Sequence, residues 1–479
     1  MSDVTPVLIL ALGSIVGLLL FVWFVQLESE GRSATVVAVV ASVMLLEAVL
    51  FQSQNDVPTG LFRIPLGQFD IRPADVLIPV ALGARILARP PARRISISAG
   101  LWSAFVMWYL ASGITGFYSG NPVSEIIGQM RAMLLFAGGF ALVSGMDVRL
   151  LVSDRFLDIL SRTLLGVCGF YFVMILAIGP IPLALGPASI PQLGGLNADA
   201  ATIISVLGFV LLLVEFSQPV HRRNRVIAGS AALMLPLIGS QAASLLALGT
   251  MVLLAALFAV GPRWRDRVTI TPTEFGLVVV LALTLGGLGL TVAGQTAEVA
   301  GHVEDALGSS EQAKTSRLRV LLWEDARDFI AEAPVLGQGA GFRQELPDQW
   351  PAPTTLVTSH NVLIDVTLQA GIPGLLLFLA ALLSSLSRAK SAWRTARDPR
   401  LAMLVLGTMI GVIGILAKGM VESVFDKFRL SIFLGMLLSA LIHTADRIND
   451  PDATHEEPVS PAAAPSPVAT ASVPGITAP

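Results

Sequence analysis

Apolar stretches long enough to cross a bilayer recur along this chain, and they constrain its fold more than any other feature. A membrane helix takes about 20 mostly apolar residues. Runs at 6–26, 34–51, 99–118, 127–145, 159–178, 200–216, 241–260, 275–293, 370–387, 401–421 and 430–444 meet or approach that length. Two shorter runs, 74–87 and 226–239, have the length of re-entrant or interfacial segments. Backbone polar groups inside hydrocarbon must be satisfied within the segment, which selects helices. The expectation is an all-α polytopic transmembrane bundle of about 12–13 spans.

Composition agrees. Charged residues make up 14% of the 479, against about 25% in a soluble domain, too few to coat several domains. The 54% of hydrophobic residues excludes a disordered chain. A net charge of −3 excludes nucleic-acid binding by bulk charge. The one cysteine, Cys168, excludes an intramolecular disulfide and a cysteine-based zinc site. The first apolar run is led only by Asp3 and has no small-residue cleavage site after it, so it does not read as a cleaved signal peptide.

Arginine placement orients the bundle, because short cytoplasmic loops are enriched in Lys and Arg. Basic loops occur at Arg85/Arg89/Arg93/Arg94, Arg149/Arg155/Arg162, Arg222/Arg223/Arg225, Arg263/Arg265/Arg267 and Arg388/Lys390/Arg394/Arg397/Arg400, each two spans from the next. With these inside, the loops 52–72, 119–126, 179–199, 294–369 and 422–429 face outward and the C-terminus is cytoplasmic. Four segments follow: an N-terminal bundle, 1–293; a large outward loop, 294–369; C-terminal spans, 370–446; and a Pro/Ala-rich tail, 447–479, that reads as disordered.

The outward loop holds the unusual chemistry. From Glu298 to Asp348 it carries ten acids and five bases: Lys314, Arg317, Arg319, Arg327 and Arg343. Leu318, Leu322, Phe329, Ile330 and Ala333 recur at helical spacing, with Ser316 where an N-cap belongs and Pro334 as the stop. Such a helix should lie on the membrane or on the bundle's rim. Arg319 and Trp323 are four apart and share one face, whereas Arg317 and Arg319 do not. Gly337-Gln338-Gly339-Ala340-Gly341 permits close backbone approach, but it neither follows a strand nor opens a βαβ unit, so a nucleotide-binding reading fails. His360-Asn361 then precedes the next span, where an imidazole near neutrality serves as acid or base. A hydrogen-bonded interfacial histidine is the simpler reading of the same position. Arg131 lies near the outward end of span 127–145, beside Glu125, and either contributes to function or pairs with that acid. Lys418 and Glu422, four apart, read as an intrahelical pair.

In order and spacing these residues resemble the bacterial O-antigen ligase and O-antigen polymerase family. The resemblance rests on Arg319 with Trp323, Pro334-Val335-Leu336-Gly337-Gln338-Gly339, His360-Asn361 with Ile364, and Gly371-Ile372-Pro373-Gly374. It implies a metal-independent membrane glycosyltransferase of the GT-C-like type, without a cofactor, in the bacterial inner membrane with its site facing the periplasm. The implied donor is a glycan on undecaprenyl pyrophosphate; the acceptor is lipid A–core or another glycan. Polysaccharide-export proteins are further candidate partners. His360 becomes the candidate catalytic residue, and Arg319, Arg131, Arg343 and Arg317 candidate pyrophosphate binders, with Asn361, Trp323, Gly337 and Gly339 in support. The chain departs from the family pattern twice. The turn Gly239-Ser240-Gln241 lacks an arginine many members carry, and Gln369 stands where many have an acid. Which group orients His360 is therefore open, with Asp365 five residues on and poorly placed to pair with it directly. A secondary transporter or lipid-linked-oligosaccharide flippase is the rival; it predicts ionisable residues at mid-bilayer.

Overall fold

A computed structural model describes residues 4–50, 64–66, 69–88, 96–144, 146–178, 198–239, 242–261, 264, 266–268, 311–345 and 356–450. The span expected at 275–293, the tail beyond 450, the Gln241 turn and the side chain of Arg317 lie outside the described residues.

The described chain is an all-α bundle. Its helices are α1 (Val4–Ser29), α2 (Ser33–Leu50), α3 (Pro73–Ala88), α4 (Ile97–Tyr118), α5 (Val123–Ser144), α6 (Asp154–Ile178), α7 (Ala198–Phe216), α8 (Arg223–Gly239), α9 (Ala242–Ala259), α10 (Glu311–Glu332), α11 (Val362–Thr395), α12 (Pro399–Gly419) and α13 (Phe428–Asn449). Seven of them, α4 to α7 and α11 to α13, are long and apolar enough to cross a membrane. Both short runs of doubtful length, 74–87 and 226–239, lie in helices, α3 and α8. Two two-stranded antiparallel ribbons complete the fold: β1 (Ile64–Leu66) with β2 (Phe69–Ile71), and β3 (Gln344–Glu345) with β4 (Leu356–Val357).

Two boundaries differ from expectation. The loop helix α10 begins at Glu311, so Ser316 lies inside it and is not its cap; Gln312, Ala313 and Lys314 propagate helix well. It does end before Pro334. Helix α11 begins at Val362, eight residues ahead of the expected span, because Asn361 caps it there: the Asn361 side chain accepts from the Leu363 and Ile364 N–H groups at 3.0 and 3.3 Å. The helix breaks at Gly371 (φ 70°, ψ −179°), dividing a short outer piece from the long inner one.

Helices meet where small residues let backbones touch. On α5 and α13, a Cβ at Gly139 would lie 2.4 Å from the Ile432 carbonyl, and one at Gly435 2.2 Å from that of Phe136. On α7 and α8, Gly208 and Gly229 face one another in the same way. Such seams supply close packing where lipid removes the hydrophobic drive between helices. Trp102, Phe105, Tyr109, Phe136, Phe378 and Phe425 form a ring cluster at the centre, with centroid spacings such as 5.4 Å for Phe105–Phe378.

Charges sort to the two ends. At one end Arg85 donates to Glu28 at 2.8 Å, Arg225 pairs with Asp154, Asp158 and Glu215, Arg400 donates to Gln218 at 2.7 Å, and Arg267 donates to the Ala396 carbonyl at 2.8 Å. The described members of the basic loops thus gather at one end. The opposite end carries Asp75, Arg131, Glu125, Arg343, Asp426 and His360. The buried ion pairs Glu28–Arg85, Glu215–Arg225 and Asp199–Lys418 all lie at helix ends. The Lys418–Glu422 pair forms as expected, with Asp199 as a second partner.

The glycine seam gives a direct test. Gly435→Ala drives a Cβ into the Phe136 carbonyl and should cost about 1–3 kcal/mol, read as a lower melting temperature in detergent, whereas Gly249→Ala, with open space around it, should leave melting unchanged.

Candidate functional site

The site begins with the break at Gly371. A broken helix leaves backbone groups without partners, and in a membrane bundle these need satisfying from elsewhere. The segment 334–341 does this. Gln338 N–H donates to the Leu368 carbonyl at 2.6 Å, and Ile372 N–H donates to the Pro334 carbonyl at 2.8 Å. A Cβ at Gly371 would fall 2.2 Å from the Val335 carbonyl, and one at Gly337 2.6 Å from that of Leu368. Gly337, Gly339 and Gly341 all have φ between 69° and 84°. Gly339 presses onto the end of α4 at Gly116, Ala340 N–H donates to the Ser112 carbonyl at 2.9 Å, and Gly341 N–H donates to Gln129 at 2.7 Å. The alternating glycines therefore approach helix backbone in α4, α5 and α11 and serve as the loop's anchor.

Ribbon β3–β4 carries the chain from this anchor to the turn at 358–361. Here His360 has φ +55°, the only non-glycine residue with positive φ among the described residues. A left-handed non-glycine residue costs of order 1–3 kcal/mol and persists only where its surroundings over-determine it. A set of hydrogen bonds around the turn does so. Trp323 of α10 donates its indole N–H to the Ser359 carbonyl at 2.8 Å. Asp365 accepts from the Ser359 N–H at 3.0 Å, from the Ser359 hydroxyl at 2.7 Å and from the Ser423 hydroxyl at 2.5 Å. Asp365 is not a partner of the imidazole, but it holds the residue before it. Asn361 caps α11 and reaches the Met420 carbonyl at 3.4 Å. Gln369, which stands where many members of the resembled family carry an acid, accepts from the buried Tyr109 hydroxyl.

The imidazole is partly exposed, and its pKa lies below the usual 6.5. Burial lowers it first, the Arg319 guanidinium next and Lys427 further, against opposing pulls from Glu422 and Asp426. The neutral, proton-accepting form thus dominates near neutrality.

The arginines divide sharply. Arg343 is bound to Glu125 at 2.7 Å and to Asp426 at 2.7 Å. Burial opposes its charge, yet Asp426 and Glu125 hold its pKa above the usual value. Arg131 pairs with Asp75, not with its neighbour Glu125. Its guanidinium also lies 5.7 Å from the Phe428 ring, which Arg72 and Arg429 flank at 4.3 and 5.0 Å. Arg319, by contrast, has a buried Nε without a hydrogen-bond partner. Lys427, at the N-cap of α13, makes no capping bond. It was missed in the sequence because it lies in the short loop between α12 and α13, far from the loop motifs; only the fold brings its charge to bear on His360. Among the described residues no three histidine, cysteine or carboxylate side chains form a metal-binding group.

A multi-pass helical membrane protein with a strained histidine at one bundle end, fixed by an attached loop, is the class these features define. Residues 226–379 match the family model described as O-antigen ligase, a stretch running from α8 through α10 and the glycine anchor into α11. The matched region, which is similar to that family, includes Arg319, Trp323, Gly337, Gly339, His360 and Asn361. A comparison with curated proteins gives no match.

Gly371→Ala should release the 334–341 anchor. The expected result is faster proteolysis between residues 345 and 361 with membrane insertion intact, at a cost of about 1–3 kcal/mol.

Proposed function

We propose that the chain transfers or polymerises a glycan from undecaprenyl pyrophosphate at the periplasmic face of the inner membrane. The observation that carries this reading is His360, held in a left-handed turn within the field of two cations, Arg319 and Lys427, for which the described residues supply no counter-ion contact. The gathering of basic loops at the opposite end supports the periplasmic placement and a cytoplasmic C-terminus.

In the proposed reaction His360 accepts the proton of an acceptor hydroxyl. The freed oxygen bonds to the anomeric carbon of the donor sugar, the bond from that carbon to the pyrophosphate oxygen breaks, and undecaprenyl pyrophosphate leaves with the electron pair. A positioned base contributes about 10²–10⁴-fold. Arg319 binds the departing pyrophosphate through its forked N–H groups, and Lys427 adds a point charge. Arg131 takes a supporting part through its shared surroundings at Phe428. Arg343 is reassigned: with two carboxylates on it, it braces the loop against α5 and the α12–α13 turn. The reaction needs no metal.

His360→Ala should lower transfer by about 10²–10⁴-fold with insertion unchanged; wild-type turnover by this variant sinks the assignment. The test is reconstitution with an undecaprenyl-pyrophosphate glycan and two acceptors, lipid A–core and a second repeat unit, the extended acceptor deciding between ligase and polymerase. Added chelator should not slow it.

The pH dependence follows from the imidazole. A base with a lowered pKa stays competent down through pH 6.5 and loses activity only as pH falls through that lowered value. The acid limb of kcat/KM should therefore lie below 6.5. Arg319→Gln removes the main charge lowering that pKa, so the limb should move up toward 6.5 while the donor KM rises; Arg319→Lys should leave the limb near its original position.

A further inference from the structure

At the basic end, α6 and α8 enclose a cavity of about 370 Å³, far from His360. Its walls include Arg162 on α6 and Arg222, Arg223 and Arg225 at the start of α8. Two of the four guanidinium groups are spent: Arg222 pairs with Asp154 at 3.1 Å and Asp158 at 2.8 Å, and Arg225 with Asp154, Asp158 and Glu215. The other two are not. Arg162 and Arg223 are exposed and have no ion-pair or hydrogen-bond partner among the described residues. The cavity also takes in the first turn of α8, where helix N–H groups favour an anion.

An exposed apolar face follows the cavity along α6. Leu165 lines the cavity, and along α6 from Arg162 the exposed residues at three- and four-residue spacing are Gly166, Gly169, Phe170 and Val173. A Cβ built on Gly166 or on Gly169 meets nothing within 4 Å, so this face is not packed against a described helix. Unpaired arginines lining the cavity, and an exposed apolar face that follows Arg162 along α6, place two chemistries side by side. That surface matches one molecule type, an anionic phospholipid, whose phosphate meets the guanidinium groups and whose acyl chain lies along α6.

We infer that the α6–α8 cavity is a binding site for an anionic phospholipid of the membrane leaflet at the basic end. This site is independent of the glycan-transfer reading and uses none of its residues. Bound lipid ties the start of α8 to α6, and α8 lies against α7, whose first turn carries the Asp199 that pairs with Lys418.

The experiment uses the full chain in detergent, delipidated, with added phosphatidylglycerol, phosphatidylcholine or inorganic phosphate. Native mass spectrometry and thermal melting read binding. Phosphatidylglycerol should bind and raise the melting temperature; phosphatidylcholine should do so far less. Arg162→Gln with Arg223→Gln should lower phosphatidylglycerol affinity about thirtyfold, near the value of two interfacial arginines. Both side chains are exposed, so the double variant should fold. Gly166→Leu adds bulk to this face and should weaken phosphatidylglycerol while leaving any phosphate binding untouched. Equal binding of the two lipids, unchanged affinity in both variants, or full stabilisation by inorganic phosphate alone would each overturn the lipid site.

Discussion

The helix break at Gly371 makes demands that the rest of the His360 end answers. Breaking a membrane helix strands carbonyl and amide groups that have no water to turn to, and here the segment 334–341 supplies their partners through backbone bonds. Because those bonds require backbone contact, the segment must carry glycines where it touches α11 and α4. The same attachment fixes α10, whose Trp323 grips the Ser359 carbonyl, and so fixes the turn that displays His360. A loop that would otherwise be tethered only at its ends is in this way bolted to the bundle at its middle.

Electrostatics is arranged to leave little charge unspent near this turn. Asp365 takes three hydrogen bonds, Arg343 takes two carboxylates, Arg131 takes Asp75 and Lys418 takes Asp199 with Glu422. A buried charge is tolerated when paired in this way, and a paired arginine has less to offer an incoming anion. The cations left over, Arg319 and Lys427, are the ones that act on His360. The division between spent and unspent arginines repeats at the other end of the bundle, where Arg222 and Arg225 are neutralised and Arg162 and Arg223 are not.

Much of the layout was legible in the sequence. Helix periodicity and Pro334 located the end of α10, and Arg319 and Trp323 were placed on one face of it. The start of α10 was misread, because Ser316 has the composition of a cap while the preceding Glu-Gln-Ala-Lys simply continues the helix. The start of α11 was set too late, because hydropathy marks where a helix enters apolar surroundings and Asn361 marks where its hydrogen bonding begins. Arg131 was read as a neighbour of Glu125, but the partner came from α3; adjacency along the chain says nothing about elements 56 residues apart.

Hydrophobic length and arginine placement were enough to determine a multi-pass helical bundle with its basic loops at one end, since the bilayer imposes both rules locally, residue run by residue run. The order of motifs in the large loop made His360 the candidate. Tertiary structure alone decided which cations remain free, that Asp365 steadies the turn through Ser359, and that the Lys427 charge acts on His360. Each of these depends on distances between elements far apart in the chain, and such distances arise only when the helices pack.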